Sequence, residues 1–268
     1  MGSSRLPGKI LLDIAGKPML AWVVERTRKS SLVDETVVAT TTETADQEVV
    51  QFCKNSGIPV YQGSTYDVLD RYYQTARRFQ AEVVVRITAD CPLMDPELIN
   101  DTLHAFYGLP VREGEYVEVS QGGDSPAQDP RFPFDFAADR LPPPWRRSFP
   151  IGLDIEVCTF QALEQAWREA TRPHQREHVM PFLYEFPGRF CFVQLHHAPD
   201  YGQMRWTVDT PEDLALVRQI FSLIPDRDNF SWLDIVDLFH SNPELAQIND
   251  QVSHKTYRDV DHRLPESR

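Results

Sequence analysis

Short β-branched runs alternate with amphipathic segments between residues 18 and 107, and this rhythm restricts the chain to layered α/β folds. The run VVVRI at residues 83–87 is the most informative of them, because it is almost continuously β-branched. Such a run is typical of a central strand in a parallel sheet that is covered on both faces. Asp90 follows it and is predicted to lie at the carboxyl end of the strand, the edge where open α/β sheets bind ligands.

The rest of the chain divides into predicted elements by the same criteria. Strands are predicted at residues 36–40, 58–61, 82–88, 153–157, 190–195 and 205–208. Helices are predicted at residues 18–29, 45–56, 67–79, 95–107, 160–170, 177–186, 210–224 and 231–239, with a further helical piece at 243–248.

The domain organisation follows from these elements. Residues 1–228 are predicted to form one α/β domain, and residues 229–268 a helical extension with a polar tail. Proline is frequent within residues 108–150, so this stretch is predicted to be an irregular surface insertion. A variable insertion without a catalytic role is favoured over an active-site lid.

Composition excludes several classes of protein. The chain has 27 Lys and Arg against 40 Asp and Glu, a formal net charge of −13, which argues against nucleic-acid binding. A small anionic ligand needs only a local basic cluster and is not excluded. No apolar stretch approaches the ~18 residues of a membrane span, and the start has no signal-peptide character. The four widely spaced cysteines form no metal or disulfide pattern, so a cytoplasmic protein is expected.

The opening sequence MGSSRLPGK is the first candidate site. Glycines allow backbone N–H groups to approach phosphate oxygens, and Arg5 and Lys9 would neutralise them. It is not a Walker A motif, because Ile10 stands where Ser or Thr would follow the lysine. A flexible terminal tail has the same composition, and the local sequence does not separate the two interpretations.

Two aspartates are candidates for binding a cation. Asp90 and Asp209 each follow a predicted strand and could converge on one ion although they are far apart in sequence. A carboxylate at such an edge can bind Mg²⁺ while phosphates complete the coordination sphere. The alternative is that Asp90 only ends its strand and that Asp209 only caps the following helix.

A third group of polar residues lies in GLDIEV and in the downstream sequence REHV. Asp154 and Glu156 alternate with apolar residues and should project from one face of a strand. Arg176 and His178 add a cation and a titratable imidazole, without a metal-binding spacing. A packing or hydrogen-bonding role for His178 is the more frequent one in such a setting.

Taken together, these motifs resemble the cytidylyltransferase family, and most closely its spore coat polysaccharide biosynthesis protein F branch. They are similar to the 3-deoxy-manno-octulosonate and acylneuraminate cytidylyltransferases. The resemblance implies a three-layer, Rossmann-like fold of the nucleotide-diphospho-sugar transferase type with a mostly parallel sheet. The motifs that carry it, in chain order, are RLPGK, DVLDRYY, RITADCPLMDP, GLDIEV, REHV and RWTVDTPEDL.

The resemblance also implies a reaction in which CTP and a sugar, expected to be acidic, give a CMP-sugar and pyrophosphate. The implied partners are CTP and a small sugar, with a homodimer as the candidate assembly. For the nucleotide, the resemblance implies phosphate binding by Lys9 and Arg5, loop contacts by Gly2 and Ser3, and a nearby position for Arg71. It implies that Asp90 and Asp209 bind Mg²⁺. It also implies that the sugar is bound next to Asp154, Glu156, Arg176 and His178.

The sequence departs from the family pattern at its start. Family members have an apolar strand and an Ala-Arg pair before the residues that match 1–4, so the usual first strand is expected to be missing. Either the start is assigned to an internal Met, or the protein is truncated and catalytically impaired. Two other functions therefore stay open: a nucleotide-sugar-binding or scaffold protein, and a glycosyltransferase that uses a nucleotide-sugar donor.

Overall fold

The computed structural model describes residues 5–120, 131–142, 146–186 and 188–253. The predictions for Gly2 and Ser3 lie outside these residues. The α-helices of the described residues are α1 (Met19–Arg28), α2 (Gln47–Asn55), α3 (Val68–Arg78), α4 (Pro96–Phe106), α5 (Phe160–Glu169), α6 (Pro173–His178), α7 (Pro181–Tyr184), α8 (Pro211–Leu223) and α9 (Trp232–Ser241). The strands are β1 (Asp13–Ile14), β2 (Lys17–Pro18), β3 (Val38–Thr41), β4 (Val60–Gly63), β5 (Val83–Arg86), β6 (Glu115–Ser120), β7 (Phe136–Ala138), β8 (Glu156–Thr159) and β9 (Phe192–His197).

The strands form a mixed sheet system that confirms the predicted α/β class. A five-stranded sheet has the order β5-β8-β7-β9-β6, in which β7 and β9 are parallel and the other neighbours are antiparallel. A separate pair, β3 and β4, is parallel, and β1 and β2 form a short antiparallel hairpin.

Local capping sets the helix starts, which lie within one or two residues of the predicted ones. Asp67 accepts a hydrogen bond from the backbone N–H of Asp70 at the start of α3. Asp95 does the same for two N–H groups of α4, and Thr210 forms a capping box with Asp213 at the start of α8. Pro96 and Pro211 occupy the first helical positions, where a missing N–H costs nothing. These caps fix where the helices begin relative to the strands before them.

The prediction of an irregular insertion at residues 108–150 is wrong for two segments. β6 lies in it, and β7 is fully buried in the middle of the five-stranded sheet. β7 lies within the sequence DPRFPFDFAAD, whose prolines indicate irregular structure. Those prolines precede the strand, so the N–H groups of β7 itself can still pair with neighbouring strands.

Two further predicted elements differ in the structure. Residues 177–186 do not form one helix, because Val179 adopts a positive φ of 72° and separates α6 from α7. Residues 205–208 do not form a strand ladder. Only a single bridge joins Arg205 to Ile151, since the N–H groups of Trp206 and Thr207 both donate to the Ile151 carbonyl.

Among the described residues, β5 is not the doubly paired central strand that its sequence predicts. It pairs along one edge with the antiparallel strand β8, and Val83, Val84 and Val85 are half-buried rather than buried. The main apolar core lies beside it and includes Leu98 of α4 and Trp232 of α9, so the C-terminal helix shares that core. Among the described residues, no helix has the length and apolar character needed to cross a membrane.

Candidate functional site

The centre of the candidate site is the ammonium group of Lys9. Its Nζ donates to Asp90 Oδ2, to Asp209 Oδ1 and to the Val208 carbonyl, at 2.8 Å each. Arg5 adds a second cation, with a guanidinium nitrogen 2.9 Å from Asp209 Oδ2. The structure therefore brings together four of the predicted residues from three distant parts of the chain.

The charges of this cluster stabilise one another. Burial disfavours the Lys9 ammonium, but the Asp90 and Asp209 carboxylates outweigh it and raise the pKa of Lys9. Burial likewise opposes ionisation of Asp209, yet Lys9, Arg205 and Arg5 outweigh it and lower the pKa of Asp209 to about 2. Lys9 and Asp209 are therefore both charged at neutral pH.

Asp90 is held in place by the residues around the end of β5. The Thr88 hydroxyl donates to Asp90 Oδ1 at 2.6 Å, which leaves Oδ2 for Lys9. The backbone N–H of Val208 donates to the Asp90 carbonyl at 2.9 Å, and the Thr207 hydroxyl lies 3.3 Å from the same oxygen. These bonds tie the segment before Asp209 to the segment that carries Asp90, and thereby set the spacing of the two carboxylates.

Asp209 is positioned by a network that the sequence analysis missed. Arg205 donates to both carboxylate oxygens of Asp213 at 3.0 Å and to Asp209 Oδ2 at 2.9 Å. Asp213 is completely buried and also accepts from the backbone N–H of Asp209 and from Asn249. The sequence does carry a signal for this network, because Arg205, Asp209 and Asp213 follow one another at intervals of four residues.

A close backbone contact joins the GLDIEV segment to the same region. Gly152 has a φ of +108°, and a Cβ atom there would lie 2.4 Å from the backbone nitrogen of Thr207. Only glycine fits this conformation and this approach. Asp154 is thereby placed beside the segment that leads to Asp209.

Asp154 and Glu156 face different guanidinium groups. Asp154 is paired with Arg147 and lies 3.5 Å from Arg140, whereas Glu156 is buried and paired with Arg86 of β5. β8 begins at Glu156, so Asp154 precedes the strand. The structure thus surrounds the two predicted acids with three arginines that the sequence analysis did not select.

The buried residue Asp139 lies next to this group. Its Oδ1 accepts a hydrogen bond from the backbone N–H of Ile155 at 2.9 Å. Burial, reinforced by the charge of Asp154, raises the pKa of Asp139 well above its usual range. A carboxyl group in this position favours its neutral form.

The remaining predicted residues, Arg71, Arg176 and His178, have other partners. Arg71 of α3 donates to the Ser64 carbonyl, and burial lowers the pKa of its guanidinium. Arg176 of α6 binds both oxygens of Asp67 and donates to the Trp167 carbonyl at 2.7 Å. Arg71 and His178 line a common cavity next to β5. None of the contacts described for Arg71 or Arg176 is with Lys9, Asp90 or Asp209.

The pair of carboxylates fits a hard divalent cation. Asp90 and Asp209 each turn an oxygen toward one point, the position of Lys9 Nζ. Within the described ranges, no group of three or more His, Cys, Asp or Glu side chains is arranged to hold a metal ion. Two carboxylates suit Mg²⁺, which usually takes one or two from the protein and completes its sphere with water and phosphate oxygens.

Comparison with known proteins identifies relatives of this architecture. A family model described as cytidylyltransferase matches residues 1–124. The 3-deoxy-manno-octulosonate cytidylyltransferase of Anaeromyxobacter dehalogenans (strain 2CP-C) is 35% identical over 245 residues, covering 82% of this chain and 94% of its own length. The spore coat polysaccharide biosynthesis protein SpsF of Bacillus subtilis (strain 168) is 28% identical over 255 residues, covering 92% and 93%.

A solved structure shows the same overall architecture. A cytidylyltransferase from Leptospira borgpetersenii serovar Hardjo-bovis (strain JB197) matches with a TM-score of 0.78 and 28% sequence identity, over 95% of each chain. This likeness confirms the expected nucleotide-diphospho-sugar-transferase-like α/β fold.

Proposed function

The chain belongs to the cytidylyltransferase family, and from this premise we propose that it transfers a CMP group from CTP to a hydroxyl group of a sugar acid. The convergence of Asp90 and Asp209 on Lys9 is the observation that carries the proposal. It places two carboxylates and a cation at one point. A nucleoside triphosphate with its metal ion requires both: carboxylates to bind the metal and a cation to neutralise the phosphates.

In the proposed reaction, the hydroxyl oxygen of the sugar forms a bond to the α-phosphorus of CTP. The bond from that phosphorus to the bridging oxygen breaks, pyrophosphate leaves with both electrons of the bond, and the hydroxyl proton passes to solvent. Such a step requires positioning and charge neutralisation more than covalent work by the protein. Lys9 and Arg5 would supply positive charge to the triphosphate, and residues 2 and 3 would contribute loop contacts.

Asp90 and Asp209 are the residues that would hold Mg²⁺. When bound, the ion would neutralise negative charge that develops on the transferring phosphate and the leaving pyrophosphate. The Thr88 and Arg205 contacts would keep the two carboxylates oriented for this role.

We place the acceptor sugar next to Asp154 and Glu156. The arginines paired with them, Arg86, Arg140 and Arg147, match a carboxylate through their planar guanidinium groups, which supports a sugar acid as the acceptor. Roles for Arg71 at the nucleotide and for Arg176 and His178 at the sugar rest on the resemblance to relatives alone.

The test is pyrophosphate release by the purified chain with CTP, Mg²⁺ and a panel of 3-deoxy-2-keto sugar acids. Asp90→Asn and Asp209→Asn should each lower the rate by about 10²-fold or more, since metal-assisted charge stabilisation supplies several kcal/mol. Asp237→Asn is the matched control, because the Asp237 side chain on α9 is 84% exposed.

Two outcomes would replace this proposal with another function. Binding of CTP with Mg²⁺ in calorimetry, without pyrophosphate release on any acid, would indicate a nucleotide-binding protein. Transfer of a sugar from a nucleotide-sugar donor, without pyrophosphate release, would indicate a glycosyltransferase.

A further inference from the structure

A buried amide reaches the candidate cation site from the part of the chain that follows α9. It belongs to Asn249, which comes after the short helical turn Pro243–Gln247 and is 8% exposed. Leu245 in that turn is buried in the main apolar core, and Phe239 of α9 packs against Trp206 with ring centroids 6.0 Å apart. The residues after α9 are therefore packed against the segment that leads to the cation site.

The side chain of Asn249 makes two contacts through its Nδ2 group. It donates to Asp213 Oδ1 at 2.9 Å and to the Arg205 carbonyl at 3.1 Å. Both partners are acceptors, which fixes the orientation of the amide, and a carboxamide nitrogen has two hydrogens to give them. A carboxylate of the same shape could make neither contact. Asn249 thus joins the backbone of Arg205 to the side chain of Asp213.

The backbone at Arg205 is held from two sides. On one side, the Ile151 N–H donates to the Met204 carbonyl at 2.8 Å, and the Trp206 N–H donates to the Ile151 carbonyl at 2.7 Å. These bonds involve the neighbours of Arg205, so its own carbonyl faces away from Ile151 and accepts from Asn249. The amide therefore helps to fix the point from which the Arg205 guanidinium extends.

The carboxylate of Asp213 passes this contact on to Asp209. Besides Asn249, it accepts from two nitrogens of the Arg205 guanidinium and from the backbone N–H groups of Asp209 and Thr210, at 3.0 and 3.1 Å. Arg205 also donates to Asp209 Oδ2 at 2.9 Å. A displacement of Arg205 or Asp213 would consequently move both the backbone and the carboxylate of Asp209.

We propose that Asn249 is a positioning residue for the cation site. It holds Arg205 and Asp213 in place, and these two side chains orient the Asp209 carboxylate. This inference rests on the proposed function, because it takes Asp209 as a ligand of Mg²⁺. It makes the residues after α9 a working part of the site.

The other partners of Asp209 explain why this support matters. Its carboxylate also contacts Lys9 and Arg5, which bind phosphate oxygens in the proposed function. When the triphosphate takes these two cations, Arg205 remains as the cation bonded to Asp209. Groups that hydrogen-bond a metal ligand set its orientation, and their loss typically lowers metal affinity by about 10-fold or more.

The test is Asn249→Leu, which keeps the approximate size of the side chain and removes both donors. Asn242→Leu is the matched control, because Asn242 lies in the same part of the chain and donates to the Leu238 carbonyl instead. Mn²⁺ affinity without nucleotide, measured by electron paramagnetic resonance, should fall by about 10-fold in Asn249→Leu. It should stay unchanged in Asn242→Leu.

A second readout needs no metal ion. The backbone N–H groups of Asp209 and Thr210 are bonded to Asp213, and their hydrogen exchange can be followed by nuclear magnetic resonance. Both amides should exchange about 10-fold faster in Asn249→Leu, relative to the amides of α3, because the network opens locally. A general loss of stability would instead accelerate exchange in α3 to the same extent, and would overturn the proposal.

Two results with Mn²⁺ would also overturn the proposal: an unchanged affinity in folded Asn249→Leu, or an equal fall in Asn242→Leu. Asn249→Ala, which adds no bulk, replaces the leucine variant if that variant does not fold. If neither variant folds, Asn249 serves the fold alone and the proposal is wrong.

The outcome is separable from that of the proposed function. If the wild type releases no pyrophosphate while Mn²⁺ affinity and amide exchange change as expected, only the proposed function is contradicted. If neither the wild type nor Lys9→Ala binds Mn²⁺, the cation site is wrong and the role of Asn249 is wrong with it.

Discussion

Asp90 and Asp209 share one ammonium group, since each carboxylate places an oxygen 2.8 Å from Lys9 Nζ. The two aspartates belong to segments that are far apart in sequence and that are tied together by the bond from the Val208 N–H to the Asp90 carbonyl. Their spacing is thus set by the backbone, whereas Lys9 is a side chain that can move. This relationship leads to predictions about cation binding and stability.

Removal of the Lys9 ammonium should strengthen cation binding. Lys9→Ala leaves Asp90 and Asp209 without their shared counter-ion, and a pair of unit charges 2.8 Å apart is worth about 6 kcal/mol at an effective dielectric constant of 20. Mn²⁺ affinity without nucleotide, measured by electron paramagnetic resonance, should rise by about 10-fold or more. Lys17→Ala, which removes an exposed partner of Glu25, should leave it unchanged. An unchanged affinity in Lys9→Ala would argue against a cation site at these carboxylates.

Stability should depend on pH through Asp209. Burial alone would raise its pKa, but Lys9, Arg205 and Arg5 lower it to about 2. The stabilisation is therefore present above about pH 4 and lost as the pH falls toward 2, with a size of about 2 kcal/mol. Urea unfolding between pH 6 and pH 2 should show the difference between wild type and Asp209→Asn narrowing as the pH falls. If the free energies of unfolding of wild type and Asp209→Asn changed with pH in parallel, the pH dependence would not come from Asp209. The control variant Asp237→Asn should show the same pH dependence as the wild type.

The buried pair of Arg205 and Asp213 should be strongly coupled. Arg205→Met leaves the fully buried Asp213 carboxylate without its guanidinium, which costs about 3–5 kcal/mol when a buried pair loses one partner. The double variant Arg205→Met/Asp213→Leu should recover part of this loss, giving a coupling energy above about 1 kcal/mol in a urea-unfolding cycle. Additive losses would mean that the two side chains do not stabilise each other.

Asp95 should contribute more to stability than an ordinary helix cap. Its Oδ1 caps α4, and its Oδ2 accepts from the buried backbone N–H of Trp232 at 2.7 Å. Asp95→Ala removes the cap and leaves that N–H unpaired, so the free energy of unfolding should fall by about 2–4 kcal/mol. Ser231→Ala, at the exposed cap of α9, should cost only about 1 kcal/mol. Equal losses in the two variants would show that the Trp232 contact adds nothing.

The predictions from sequence succeeded where the partners are close in the chain. Asp67, Asp95 and Thr210 cap the helices that follow them, because the bonded N–H groups lie two or three residues away. Asp90 and Asp209 also meet, as expected, although residues 205–208 before Asp209 form a single bridge rather than the predicted strand. Local patterns missed β7, whose pairing with β8 and β9 depends on distant residues.

The sequence by itself determined the α/β class, most helix boundaries and the family, because periodicity, caps and motifs are local properties of the chain. Only the tertiary structure decided which charges meet: Lys9 with both aspartates, Arg205 with Asp213, and the arginines around Asp154. Ion pairs of this kind depend on which side chains share a buried volume, and the packing of the sheets and helices sets that volume. The same packing leaves β3 and β5 on either side of a cavity, which no local pattern predicted.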